Sequence, residues 1–375
     1  MDPQVLAALL SKASSVDVLN YVTMTAAINE MKSPNDFLQR LIFKRRVTLP
    51  TETIELGFFD KGRAMAPMVK RGAEALIVDG YTSRMATVST PNIRIKRPME
   101  PNEVLFGRRP GNIIHAEGGT IAQAAAEHVA RELQILRDLI TNRVEWMCAQ
   151  VLDGTITYAE TDNVNELFSI TTRPSTIKTA TNFTTLPATV GGFWDTGTTK
   201  KPFEDVVHFK RVMTDQVGLS PMICLHGKNV TSAIFALARA DAGFAAMIRR
   251  DSNIASGSVS VREDFSDSGA LYVATIGGVE FWEYSRTAVD ETGTAREMIP
   301  ASWGYFLNTS AAAEWIIYYG AIADVATMQG RSFQTQIFSK SWIEQDPSQI
   351  VHLAHTRPLP FIRRPGAIVS AKLAA

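Results

Sequence analysis

The sequence has few of the features that mark secreted or membrane-spanning proteins. It contains 2 cysteines among 375 residues, too few for a disulfide framework, which favours a reducing compartment. No stretch approaches about 18 consecutive apolar residues, the length of a membrane span. The start, Met1-Asp2-Pro3, lacks the charged and apolar regions of a secretion signal. We therefore expect a cytoplasmic protein with no membrane association.

An excess of positive charge is also absent. The chain carries 38 Lys and Arg residues against 38 Asp and Glu residues, so its net charge is zero. This balance argues against a protein whose main role is to bind nucleic-acid phosphates, because that affinity comes largely from accumulated basic residues. With 45% hydrophobic residues, the composition is that of an ordered globular protein, and the length predicts at least two subdomains.

Motifs with catalytic spacing are missing as well. There is no G-x-S-x-G, H-E-x-x-H, C-x-x-C or G-x-G-x-x-G pattern. His352 and His355 form the one close histidine pair, but their odd spacing puts them on opposite faces of a strand, so we expect a structural role. Glu127, Arg131 and Glu132 are interpreted as surface charges on a helix. The sequence predicts no enzyme activity, no cofactor and no metal site.

The strongest helix pattern runs from Thr120 to Leu152. Apolar residues recur there at spacings of three and four, as in Val129, Leu133 and Leu136, and Asp153-Gly154 supplies a stop signal. At 1.5 Å per residue this helix would be roughly 50 Å long, longer than most globular domains need. We name it the spine helix.

The chain before the spine helix contains segments that cannot bury themselves. Residues 1–34 hold no period for long and are predicted to form an arm, followed by a short docked helix between Asn35 and Phe43. Thr48–Phe59 and Thr87–Lys96 read as two long strands. The polar, glycine-punctuated segment 60–85 joins them, and such a pair is marginal in water unless another surface covers it. We expect another subunit to supply that cover.

Basic residues are concentrated in and after this connecting segment. They admit two interpretations: a solvated face, or contacts with acidic residues of a neighbouring copy. Because the segment lacks a core of its own, we favour inter-subunit contacts, and the candidates are Lys61, Arg63, Lys70, Arg71, Arg84, Arg108 and Arg109.

After the spine helix, residues 155–172 predict a strand or hairpin, and residues 173–201 form a surface connection. From Phe203 the predicted order is helix, strand, helix and two strands, which suits a second subdomain. The final third contains extended apolar runs at 315–319, 336–342 and 350–355.

The series of parts resembles a known family. The short helix at 35–43, the Thr51-Glu52-Thr53-Ile54-Glu55-Leu56 strand and the loop with Ala66-Pro67-Met68-Val69 are similar to the major capsid protein E family of tailed bacteriophages. The similarity extends to the far end, through Gln345-Asp346-Pro347, Arg357-Pro358-Leu359-Pro360 and the Ile368–Leu373 segment.

This resemblance implies an α+β fold of the HK97 capsid type. It implies an arm at 1–46, an extended hairpin loop at 47–110, and a peripheral domain at 111–200 that contains the spine helix at 120–152. It further implies an axial domain at 201–334 and a return to the peripheral domain at 335–375.

The same resemblance implies function and partners. It implies self-assembly into hexamers and pentamers of an icosahedral head, formed in the bacterial host cytoplasm, that encloses double-stranded DNA without sequence-specific binding. Portal, scaffolding and decoration proteins are the further partners it suggests. Two alternatives stay open: an encapsulin-like compartment shell protein and an unrecognised α/β enzyme.

Overall fold

A computed structural model shows an α+β protein. It describes residues 21–31, 36–60, 82–99, 121–161, 172–178, 184–186, 193–196, 201–245, 269–289, 293–310, 313–324, 335–346 and 348–375. Within these residues lie five helices of five residues or more that are named here: α1 (Tyr21–Glu30), α2 (Phe37–Leu41), α3 (Ile121–Leu152), α4 (Pro202–Val217) and α5 (Lys228–Ala240).

Eighteen strands accompany these helices in the described part of the chain. Before α4 they are β1 (Arg45–Thr48), β2 (Thr53–Asp60), β3 (Thr82–Ser89), β4 (Ile93–Met99), β5 (Thr155–Thr161), β6 (Thr172–Lys178) and β7 (Thr184–Leu186). After it they are β8 (Ile223–His226), β9 (Leu271–Ile276), β10 (Val279–Glu283), β11 (Thr287–Val289), β12 (Ala295–Glu297), β13 (Trp303–Leu307), β14 (Trp315–Tyr319), β15 (Phe338–Gln345), β16 (Ser348–Thr356), β17 (Pro358–Ile362) and β18 (Ile368–Lys372).

The spine helix is confirmed as α3, which spans 32 residues, or about 48 Å. Its predicted apolar stripe is buried: Val129, Leu133, Leu136, Ile140 and Val144 are each at most 4% exposed. The helix ends where the sequence predicted, because Gly154 adopts a left-handed φ of 81° and its N–H donates to the carbonyl of Val151 at 2.9 Å. Thr120, where the pattern predicted the helix to begin, lies outside the described residues.

Three sheets surround this helix and the second group of helices. One has the order β1-β14-β17, one the order β15-β16-β4, and the largest has six strands in the order β7-β18-β13-β8-β10-β9. Helices α4 and α5 pack on the six-stranded sheet through a core that includes Phe209, Ile234, Phe281 and Phe306. All three sheets join strands that are far apart in sequence.

The domain division stays a prediction, and the sheets bear on it. Strand β18 belongs to the segment 335–375, yet it lies between β7 and β13 in the six-stranded sheet. Strand β14, from the segment 201–334, pairs with both β1 and β17. The structural layers therefore cross the boundaries implied by the resemblance.

Three sequence interpretations need correction. The strand predicted at Thr87–Lys96 is two strands, because the chain leaves the β2 ladder after Ser89 and β4 pairs with β16 instead. Part of the predicted arm forms the helix α1, and this helix docks on the main core, where Met24 and Ile28 are fully buried. Glu132 is not a surface charge: it is 4% exposed and forms an ion pair with Arg97.

Candidate assembly elements

The β2–β3 hairpin is the part of the structure that corresponds to the predicted extended loop. Its strands pair in antiparallel register from Thr53 opposite Ser89 to Asp60 opposite Thr82, a ladder of eight residue pairs. At roughly 3.4 Å per residue the ladder is about 27 Å long. Ile54 and Leu56 are at most 5% exposed and belong to the main core, so the hairpin is anchored at its base.

A cluster of polar groups clamps that base. Arg357 donates from Nε to Thr90 Oγ1 at 3.1 Å and from Nη2 to the Thr90 carbonyl at 3.3 Å. Its Nη1 lies 2.7 Å from Glu52 Oε1. Thr90 in turn donates from both its N–H and its hydroxyl to the Glu52 carbonyl. We call Glu52, Thr90, Gly320 and Arg357 the base clamp.

Gly320 completes the base clamp because only a glycine fits there. A Cβ at this position would lie 3.2 Å from both Cβ and Cγ2 of Thr90, and closer still to the hydroxyl oxygen. The Gly320 N–H donates to the Arg357 carbonyl at 2.9 Å, and the Ala321 N–H donates to the Thr51 carbonyl at 3.0 Å. The two arms of the hairpin are thus tied to the strands β14 and β17 before they leave the core.

Helix α1 covers part of the edge of β15. Thr25 Oγ1 accepts from the Ser339 N–H and donates to the Ser339 carbonyl, each at 3.0 Å. The Asn29 amide likewise accepts from the Ile337 N–H at 3.2 Å and donates to the Ile337 carbonyl at 2.8 Å. Two helical side chains four residues apart therefore satisfy backbone groups that a neighbouring strand would otherwise pair.

Helix α2 is held by a carboxyl group from the spine helix. Glu145 is fully buried, and its Oε1 accepts from the Leu38 N–H at 2.6 Å and from the Tyr284 hydroxyl at 3.2 Å. Its Oε2 accepts from the Gln39 N–H and side-chain amide. The first-turn N–H groups of α2 thus receive their cap from Glu145, since Asp36 makes no side-chain cap bond.

Burial dominates the ionisation of this group. It raises the pKa of Glu145 from its ordinary value of 4.5 to about 7, although the hydrogen bonds from Leu38 and Gln39 oppose the shift. Burial raises the pKa of the Tyr284 hydroxyl, and the carboxyl of Glu145 raises it further. Burial likewise raises the pKa of the Cys148 thiol, and Glu145 adds to that increase.

The buried histidines serve packing. Burial lowers the pKa of His226, His352 and His355 to about 4, so each is neutral near pH 7. His352 and His355 lie on opposite faces of β16, as expected, where His352 contacts Ser341 and His355 contacts Asn92. Both cysteines are buried, and burial raises the pKa of each thiol.

Among the described residues, no three or more His, Cys, Asp or Glu side chains lie together in a group that could hold a metal ion. In the same part of the chain, no helix is both long and apolar enough to cross a membrane.

The predicted contact residues are only partly placed. Arg84 lies in β3, opposite Phe58 in the hairpin ladder, and the structure describes its backbone position alone. Lys61, Arg63, Lys70, Arg71, Arg108 and Arg109 lie outside the described residues. Their role in inter-subunit contact stays a prediction.

The sequence analysis missed the residues that anchor these elements. Glu145 had a detectable signal, since it is a charged residue among the buried positions Ile140, Val144 and Cys148 of the apolar stripe. Thr25, Asn29 and Arg357 had none, because their partners are about 270 residues away or more.

Comparison with known proteins gives one family and several similar solved structures. A family model described as "Phage major capsid protein E" matches residues 20–373. The structure of a putative capsid protein of a prophage from E. coli CFT073 has 17% sequence identity and a TM-score of 0.68, covering 95% of this chain and 99% of that one. A search of curated proteins gives no match.

Two other solved structures are more distant. A phage-related protein from Bordetella bronchiseptica RB50 has 10% identity and a TM-score of 0.49, covering 95% of this chain and 97% of that one. An encapsulin from Synechococcus elongatus PCC 7942 has 9% identity and a TM-score of 0.43, covering 92% and 89%. Scores below 0.5 support no inference, whereas 0.68 over nearly the whole of both chains shows a shared fold.

Proposed function

We propose, because the chain belongs to the phage major capsid protein E family, that it forms the hexamers and pentamers of an icosahedral head enclosing double-stranded DNA. The family and the HK97-like fold make it a major capsid protein, a structural component of the virion. The family is a structural one, which also fits the lack of recognisable catalytic motifs.

The observation that carries this proposal is the anchored hairpin. Its two strands leave the core side by side after the base clamp, and eight residue pairs give it a length of roughly 27 Å. An isolated two-stranded hairpin is marginal in water, so a covering surface on another copy would stabilise it. Stability and assembly would then be coupled, as in other obligate oligomers.

The arm supports the same conclusion. Helices α1 and α2 dock on the core through Thr25, Asn29 and the carboxyl of Glu145. We propose that residues 1–46 act as an arm and 47–110 as an extended loop, each contacting neighbouring copies. The basic residues Lys61, Arg63, Lys70, Arg71, Arg84, Arg108 and Arg109 are proposed to meet acidic residues there.

The zero net charge suits a container for DNA. A strongly basic inner wall would condense the DNA on itself, whereas a neutral wall does not require tight binding. We propose that the DNA is bound without sequence specificity, that assembly takes place in the bacterial host cytoplasm, and that portal, scaffolding and decoration proteins take part.

Electron microscopy of the expressed chain tests the proposal. The chain is produced alone and together with the genes that neighbour its own, and particles are imaged and assayed for nucleic acid. Closed shells with five- and six-fold clusters, filled with double-stranded DNA when made in an infected cell, are expected. Particles that carry protein cargo and no nucleic acid would favour a compartment shell, and a chain that never assembles would contradict the proposal.

A further inference from the structure

Strand β15 has an edge that α1 covers only in part. Backbone N–H and C=O groups point to alternate sides of a strand from one residue to the next. Those of Ser341, Ile343 and Gln345 therefore point to the same side as those of Ile337 and Ser339. Ile337 and Ser339 bond with Asn29 and Thr25, whereas no described strand pairs with the outer side of β15. The second half of the edge therefore presents backbone N–H and C=O groups to the outside.

This half of the edge also carries two exposed apolar side chains. The side chain of Ile343 is 63% exposed and that of Trp342 is 37% exposed, which makes two adjacent large apolar residues on an unpaired strand. Folded proteins commonly protect such edges with charged residues, prolines or covering elements, because an open apolar edge recruits another strand.

The opposite edge of the same sheet shows that protection. Strand β4 forms that edge, and its exposed positions are occupied by Arg94, Lys96, Arg97 and Pro98. Lysine, arginine and proline at an edge disfavour pairing with another chain. One edge of the sheet is therefore guarded and the other is left open.

The sequence of the open half is complementary to itself. In an antiparallel pairing of two copies centred on Ile343, that residue faces its own counterpart, Ser341 faces Gln345, and Trp342 faces Glu344. Lys340, which also pairs with Asp324 in its own chain, faces Asp346. The two Ile343 side chains meet at the centre and Lys340 meets Asp346 at each end. Three hydrogen-bonded residue pairs would give about six backbone hydrogen bonds.

We propose that residues Ser341–Gln345 form a two-fold β-sheet contact with the same residues of a second copy of this chain. The interface is isologous, so it joins copies in pairs and does not generate a ring. Under the proposed shell function, on which this inference rests, such a contact links one ring of subunits to the next.

A single cysteine tests this contact, because the two-fold axis places Ile343 opposite itself. The Cα atoms of a hydrogen-bonded antiparallel pair are about 5.5 Å apart, a separation that a disulfide spans. Both native cysteines are buried, so they do not compete. Shells of the Ile343→Cys variant, mildly oxidised and run on a non-reducing gel, are expected to contain disulfide-linked dimers.

Val289→Cys is the matched control. Val289 is 69% exposed and lies on β11, which belongs to a different sheet from β15, so its shells should give at least about tenfold less dimer. If Ile343→Cys prevents assembly, shells of the Ser341→Cys, Gln345→Cys double variant take its place, since these positions face each other across the same axis.

The outcomes separate this inference from the proposed function. Dimers of twice the chain mass in the edge variants but not in the control support the contact. Intact shells without such dimers, or with the cysteine linked to a different protein, overturn the edge pairing and leave the shell function standing. If the unaltered chain forms no shells under any condition, both are overturned.

Discussion

Gly320 shows how one residue without a side chain can position an element outside the core. Replacing it with alanine would push a methyl group into Thr90, which holds the start of the hairpin through Glu52 and Arg357. We expect Gly320→Ala to cost about 1–3 kcal/mol, as overpacking of a tight contact does. Thermal unfolding of the unassembled protein measures this loss.

Gly57→Ala provides the comparison, because no atom lies within 4 Å of the position where its Cβ would be. Its unfolding temperature should change little. Equal effects of the two substitutions would show that the base clamp tolerates a methyl group and that its close approach is not required.

The buried carboxyl of Glu145 predicts a pH dependence of stability. Its pKa in the folded protein is about 7, above the ordinary value of 4.5, so the folded state holds the proton more tightly than the unfolded state. Its stabilising contribution is therefore complete below about pH 4.5 and is lost as the pH rises through 7. A shift of this size corresponds to about 3 kcal/mol.

Glu145→Gln should remove that dependence, since the amide does not titrate. The free energies of unfolding of the variant and the parent are compared between pH 5 and pH 8. As the pH rises, the parent should lose stability relative to the variant. His226, His352 and His355 act oppositely, because their lowered pKa values make stability fall as the pH falls from 6.5 through 4. They are the same in both proteins, so their contribution cancels, and a difference that is independent of pH would contradict the assignment.

For single residues, the sequence predicted the features that follow from periodic spacing and few others. The buried stripe of the spine helix followed from its spacing, as did the opposite faces of His352 and His355. The burial of Glu132 beside Arg97 did not, because nothing local distinguishes a charge that faces solvent from one that meets a strand over 30 residues away.

The spine helix is the element with the clearest test of its orientation. Leu136 is 1% exposed, so Leu136→Asp would place a charge in the core and cost roughly 5 kcal/mol, comparable with the stability of a domain. We expect the variant to be insoluble or unfolded, as judged by circular dichroism and size-exclusion chromatography.

Leu139→Asp on the same helix is the matched control. Leu139 is 52% exposed, and its replacement should cost less than about 1 kcal/mol. A folded Leu136→Asp protein would mean that this face of the helix does not form the core.

Elements whose signal is local were predictable, and elements made by long-range contact were not. The helix at 202–217 begins within one residue of the predicted start at Phe203, and β5 lies within the predicted segment 155–172. The prediction that residues 173–201 form only a surface connection was wrong, because β6 pairs there with β5 and β7 pairs with β18. Helix α1 was missed because only three of its ten residues, Met24, Ala27 and Ile28, are buried, too short a pattern to show a sustained sequence period. The division of β3 from β4 was missed because it depends on Thr90 meeting Arg357.

The whole molecule is expected to depend on its neighbours through the hairpin. Deleting residues 60–85 removes the outer half of the β2–β3 ladder but leaves Ile54, Leu56 and the base clamp in place. We expect a soluble, folded protein that does not form closed shells, because the covering contacts between copies are lost. Analytical ultracentrifugation and electron microscopy report assembly, and closed shells from the deletion would refute the role given to the hairpin.

The overall architecture could be named from the sequence because the order of parts resembled a family, and the family match over residues 20–373 confirms it. The sheet topology could not be derived in this way. Pairings such as β1 with β14 and β4 with β16 join segments more than 250 residues apart, and no local pattern encodes them.

The position of β18 has a consequence for biosynthesis. This strand, Ile368–Lys372, lies inside the six-stranded sheet between β7 and β13. The sheet can therefore close only after residue 372 has been translated and has left the ribosome. Until then β13 lacks one of its two neighbours, so the core beneath the six-stranded sheet of a nascent chain stays incomplete.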